Sequence, residues 1–234
     1  MPETLELMGD LAAARWVEAS LAPRPWASVG NLVPDNFEAY ARILHPAHRG
    51  KHATEGPVSW ATVAEETGRV LHPLAQFARI ANLGDDWNAQ PSWGRRPFEG
   101  SLPEEVVGPL AEAARSYTNT RERCWFCVWE GFGQLNYMEG YEDAPRVTIP
   151  GRKYLLFRGA LDVVRSFPHE LDGGPQIWWP DDRAWCVATE IDLDSTYVGG
   201  GRDFVDRLIG DPGLEVMPAA LNDRVDFGAD TINT

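Results

Sequence analysis

The chain has 234 residues, 44% of them hydrophobic, and ten Trp, nine Phe and six Tyr supply enough core material to exclude a disordered chain. Its net charge is −14, and from Ala160 onward fifteen acids stand against five Arg, a balance that repels phosphate backbones and excludes nucleic acid as the expected partner. No apolar run approaches the ~18 residues of a membrane helix, the opening MPETLELMGD lacks the basic start of a secretory signal, and three cysteines make no disulfide framework, so a cytoplasmic setting is expected.

Thr4 to Leu21 reads as a helix, with Leu5, Met8, Leu11, Ala12 and Trp16 on one face and acids in the first turn. Phe37 to Leu44 fits either a helix capped by Asp35 or a strand running into His45-Pro46. His48 to Pro57 is polar and reads as a loop. Ser59 should cap a short helix through Glu66 that Gly68 stops. Asn82 to Gly100 is irregular in composition. Ser101 is placed to cap a helix from Pro103 to about Tyr117, with Gly108-Pro109 as a blemish.

After Thr118 the character changes. Arg123 to Gly131, Arg146 to Leu161, Gln176 to Ile191 and Glu215 to Leu221 are rich in Val, Ile, Trp, Phe and Tyr and read as strands. Arg202 to Ile209 reads as an amphipathic helix. The expectation is an α+β fold: a helical and irregular N-terminal half (1–117), and a C-terminal half (118–234) holding an antiparallel or mixed sheet with one or two helices. The halves are two units or one continuous domain.

Cys124-Trp125-Phe126-Cys127 is a CxxC, but its strand-like context points residues three apart to opposite faces. Reduced structural thiols are expected there, with Trp125 and Trp129 sharing one largely buried face. His45, His48 and His52 are spaced like zinc ligands, yet no carboxylate motif accompanies them, and neither a metal nor a cofactor is expected. The glycines of 199–201 before a helix resemble an anion nest, but Asp203 and Asp206 would compete for its amides, and a tight strand-to-helix turn is the favoured reading. Trp26 to Gly30 lacks the first Gly of a nucleophile elbow.

The densest stretch is QIWWPDDRAWCVATEIDLDSTYVGGG, residues 176–201. Trp87, Trp93, Trp178 and Trp179 sit among Pro, Gly and Asp, where rings either fill the core or anchor a ligand. Asp181, Asp182 and Arg183 follow Pro180. Glu190, Asp192 and Asp194 alternate, so on a strand all three face one side, either as a cation site or as a solvated face.

The runs TRERCWFCVWEGFG, RKYLLFRGAL and IWWPDDRAWCVATEIDLDSTYVGG resemble a family of actinobacterial proteins. That family carries no assigned activity, and the resemblance implies no catalytic residue. A weaker likeness, resting on acidity, Trp content and helix-strand order, is to SUKH-type immunity proteins, α+β domains that bind toxins.

The leading expectation is a non-catalytic protein that binds a basic protein partner through an acidic, Trp-bearing C-terminal surface. Its candidate binding residues are Trp178, Trp179, Asp181, Asp182, Arg183, Glu190, Asp192 and Asp194. The alternatives are a carboxylate- or metal-dependent hydrolase using Glu190, Asp192 and Asp194, acting on a sugar, and a small-ligand module. Convergence of these acids with Trp178 or Trp179 in a deep pocket would favour the hydrolase.

Overall fold

The computed structural model describes residues 5–21, 27–50, 55–84, 89–132, 139–167 and 174–233. In chain order the elements are β1 (Glu6–Leu7), α1 (Arg15–Ser20), β2 (Ala39–Leu44), β3 (Ala47–Arg49), β4 (Pro57–Val58), α2 (Trp60–Thr67), α3 (Phe77–Ile80), β5 (Gly94–Arg95) and α4 (Glu104–Arg115). There follow β6 (Cys124–Trp129), β7 (Val147–Ile149), β8 (Arg152–Gly159), β9 (Ile177–Pro180), β10 (Trp185–Thr189), β11 (Ser195–Gly200), α5 (Arg202–Ile209) and β12 (Val216–Ala219).

Among the described residues, nine strands form one antiparallel sheet in the order β1-β8-β6-β9-β10-β11-β2-β12, with β7 also paired to β8. A second small sheet runs β4-β3-β5. The strands form where Val, Ile, Trp, Phe and Tyr can be buried on both faces. Along β6, Cys124, Phe126 and Val128 enter one apolar cluster, while Trp125 and Cys127 enter the cluster on the other face. The first face is covered by α4, α5 and a 3-10 turn at Leu161–Ser166. The second is covered by α1, a 3-10 turn at Val29–Asn31 and Val225. A third cluster, centred on Trp60 and Phe77, joins α2 and α3 to the small sheet.

The expected helical N-terminal half is overturned: the molecule is mainly a large antiparallel sheet with few, short helices. Thr4 to Leu21 is not one helix. Glu6 and Leu7 pair with Arg158 and Phe157 of β8, and the Asp10 carboxylate accepts from Ala12 N at 2.9 Å, turning the chain before the six-residue α1. The helix-like spacing misleads because Leu5 and Leu7 pack on one apolar cluster while Met8, Leu11 and Trp16 pack on the other.

Of the stretch Phe37 to Leu44, Ala39–Leu44 resolves to the strand β2. It lies between β11 and β12, which satisfy its backbone on both sides. Within 48–57, part of the expected loop pairs as β3 and β4, and 51–54 lie outside the described residues. Ser101 does not cap α4; Pro103 takes the N-cap position, without a side-chain bond.

The cap of α2 is as expected: Ser59 Oγ accepts from Thr62 N at 3.1 Å, and Gly68 ends the helix at φ 70°. The helix of Arg202 to Ile209 is also as expected. The strand expected over 146–161 breaks into β7 and β8 at Gly151 (φ 81°). The strand expected over 176–191 breaks into β9 and β10 at Arg183 (φ 55°).

Gly199 and Gly200 belong to β11, not to a nest. The reason for glycine at 199 is space: a Cβ there would lie 2.5 Å from Phe37 and 2.8 Å from Val33. Val33 is fully buried and cannot retreat. Gly199→Ala should therefore cost about 1–3 kcal/mol by overpacking, read as a lower urea midpoint at unchanged slope.

Candidate functional site

The eight sequence candidates do not converge. Trp178 and Trp179 are 0% and 1% exposed and point to opposite faces of the sheet. Trp178 meets Trp185 edge-on at 5.1 Å, and Trp179 meets Trp16 edge-on at 5.8 Å. They are core residues, so neither ring is available as a surface anchor. Trp93 is half-buried against the third cluster, and Trp87 lies outside the described residues.

Asp181, Asp182 and Arg183 form the β9–β10 turn. Asp181 accepts from Trp125 Nε1 at 2.9 Å and pairs with Arg123 at 2.6 Å. Asp182 accepts from Asn119 N at 2.7 Å and from the Thr118 hydroxyl at 2.9 Å. The Arg183 guanidinium lies 5.2 Å from the Trp16 ring. All three hold neighbouring chain in place.

Glu190, Asp192 and Asp194 lie at the other end of β10, about 17 Å away along a strand of that length. They are on the β10–β11 turn and not on a strand, so alternation does not aim them at one face. The turn is anchored from behind by Arg42. This guanidinium is 3% exposed and donates to Ser195 Oγ (3.0 Å) and to the carbonyls of Pro73 (3.1 Å) and Ala75 (2.7 Å). It also faces Asp194 at 3.8 Å.

These three acids line a cavity of about 470 Å³ on the second face of the sheet. Its apolar walls come from Leu32, Ile149, Tyr154, Ile177, Ala188 and Val225. Arg152, the first residue of β8, holds two of the acids: its Nε donates to Glu190 at 3.0 Å and its Nη2 to Asp192 at 2.6 Å. Arg96 and Glu99 line the cavity and pair at 3.3 Å. Burial raises the Glu99 carboxyl above its ordinary value; Arg96 opposes this, and the Asp194 and Asp192 carboxylates add to it. Gln76 also lines the cavity, and its buried side-chain Nε2 has no hydrogen-bond partner among the described residues. Burial raises the Tyr154 phenol, which keeps its proton at neutral pH.

The sequence reading missed Arg152, Arg96, Glu99, Gln76 and Tyr154. No motif links them; the turn at Gly151 and the pairing of distant strands bring them together.

The histidines separate. His45 Nδ1 lies 2.7 Å from the Phe98 carbonyl, which can only accept, so Nδ1 carries the ring proton. Nε2 then accepts from the Thr196 hydroxyl at 2.8 Å, and Thr196 Oγ1 accepts from Thr189 at 2.7 Å. This chain ties the segment bearing Arg96 and Glu99 to the sheet. His48 pairs instead with Glu105 at 2.9 Å, and His52 lies outside the described residues. Among the described residues no three His, Cys, Asp or Glu side chains are grouped to hold a metal.

Cys124, Cys127 and Cys186 are free and buried, and burial raises all three thiols, Cys124 to about 12. Trp125 is buried and packs on the same apolar cluster as Trp129, as expected for even spacing on a strand. No described helix is long and apolar enough to cross a membrane.

Comparison with protein-family models, with curated proteins and with solved structures finds no match.

Burial lowers the His45 imidazole to about 4, against the opposing pull of the Phe98 carbonyl. Above pH 6.5 the ring is neutral in both folded and unfolded chains. As pH falls from 6.5 to about 4, only the unfolded chain takes the proton, so stability is lost across that window. The loss attributable to this ring is about 3 kcal/mol. Urea unfolding followed against pH should show it in the wild type, and His45→Gln should lack that component of the slope.

Proposed function

We propose that the chain is a small-ligand-binding protein whose site is the cavity beside the β10–β11 turn. The observation that carries this reading is the cavity itself. Its volume of about 470 Å³ falls within the range of small-molecule sites, and its lining combines apolar walls with charged and polar side chains. The polar groups are held in advance by Arg152, Arg42 and the His45 relay, so ordering them on binding costs little. A carboxylate-dependent hydrolase would use the same place. Binding is preferred because Glu190 and Asp192 are both engaged by Arg152.

A fluorinated fragment collection, screened by ligand-observed NMR, should yield binders of the wild-type protein. Leu32→Trp, entering from the half-buried wall, should abolish them while leaving the far-UV circular dichroism unchanged. Absence of binders, or binders indifferent to Leu32→Trp, would refute the cavity as a ligand site.

A basic protein partner remains the reading that the surface charge favours. The support is a balance of −10 from Ala160 onward and the exposed Asp203 and Asp206 on α5, a helix on the face of the sheet opposite the cavity. A partner captured from the native host should associate more slowly at higher ionic strength, and more slowly still with Asp203→Lys and Asp206→Lys together. An on-rate indifferent to both salt and the double reversal would remove this reading.

A further inference from the structure

We propose that the ligand of this cavity is a small organic cation, an amine or similar protonated base on an apolar body. Its charge would sit near Glu99, Asp192 and Asp194, and its body against Leu32, Tyr154 and Ala188. The proposal rests on the cavity being a ligand site and adds the chemical class of the ligand.

The charge arrangement around the cavity carries the argument. Five carboxylates line it, those of Glu99, Glu190, Asp192, Asp194 and Asp226, against the guanidinium groups of Arg96 and Arg152. Both guanidinium groups are already engaged. Arg152 is shared between Glu190 and Asp192, and Arg96 pairs with Glu99. Asp226 is paired with Arg224 at 2.6 Å, and Asp194 faces Arg42 only at 3.8 Å, from behind the wall. One positive charge therefore serves two acids at Arg152, and the cavity retains an excess of negative charge. An anionic ligand would have to pull a carboxylate off one of these arginines. A cation shares these carboxylates with the arginines instead of displacing them, drawn by Asp192, which holds only part of Arg152, and by Asp194, whose arginine stands 3.8 Å away.

One further feature points the same way. Burial raises the Glu99 carboxyl, against the pull of Arg96 and with smaller contributions from Asp194 and Asp192, and a cation among these acids would favour its charged form.

The test uses three probes of one shape: 2-phenylethylamine, 2-phenylethanol and phenylacetate, titrated into the full chain by calorimetry at low salt. The amine should bind about tenfold more tightly than the alcohol, and phenylacetate more weakly than either. In the double variant Glu99→Gln with Asp192→Asn, both at exposed rim positions, the amine should lose most of that advantage. The alcohol should stay within about twofold, which shows the cavity to be intact. If the alcohol or phenylacetate binds best, or if the amine keeps its advantage in the double variant, the cation assignment is wrong while the ligand site stands. If none of the three binds and the fragment screen also fails, the site itself is wrong and the assignment falls with it.

Discussion

An arginine cannot shed its proton when buried, so the chain around Arg42 has to be built to hold its charge. Arg42 sits on β2 in the interior of the sheet. Two backbone carbonyls from the segment before α3, the Ser195 hydroxyl and the Asp194 carboxylate surround it, with the Trp60 ring 5.2 Å away. These partners come from the large sheet, from the β10–β11 turn and from the satellite cluster around Trp60. One desolvated cation thereby sets where the satellite cluster docks and which way the turn faces. The cavity at that turn inherits its shape from this requirement.

The two faces of the sheet are finished differently. On one, α4 and α5 lay continuous apolar stripes against Phe126, Trp178 and Trp185, and Trp185 Nε1 donates to the Ala114 carbonyl at 3.1 Å. On the other, the cover is one short helix, a 3-10 turn and irregular chain. Irregular chain covers an apolar surface less completely than a helix does, because its backbone must also find hydrogen bonds. The cavity lies on this second face, at the end where the irregular cover meets the turns of two hairpins.

Local chemistry made some elements legible in the sequence. Ser59 with Gly68, and the amphipathic run of α5, announce helices because their signals are short-range and nothing distant contradicts them. Residues 123–131 announce a strand because β-branched and aromatic residues at both parities need burial on both faces. The first twenty residues mislead because an extended segment crossing from one apolar cluster to another mimics helical spacing. Trp178 and Trp179 look like surface anchors beside Pro180 and two acids. As neighbours on a strand buried on both faces, they instead fill opposite halves of the core. Of the candidate site, Glu190, Asp192 and Asp194 stood out in the sequence as a cluster of acids. Their surroundings did not, since Arg152, Arg96 and Gln76 join them around the cavity only through strand pairing and loop closure.

The position of β2 has a consequence for biosynthesis. Its register partners on one side are residues 195–200 and on the other residues 216–219. A ribosome delivers β2 early, and both of its neighbours emerge only after most of the chain has been made. Until then its unpaired edges and apolar side chains have no native cover, the condition under which nascent chains recruit chaperones or aggregate. Closing loops of that length also raises contact order, so refolding in vitro should be slow for a chain of this size. Truncating the last strand would leave β2, and not merely the sheet edge, without one of its two neighbours.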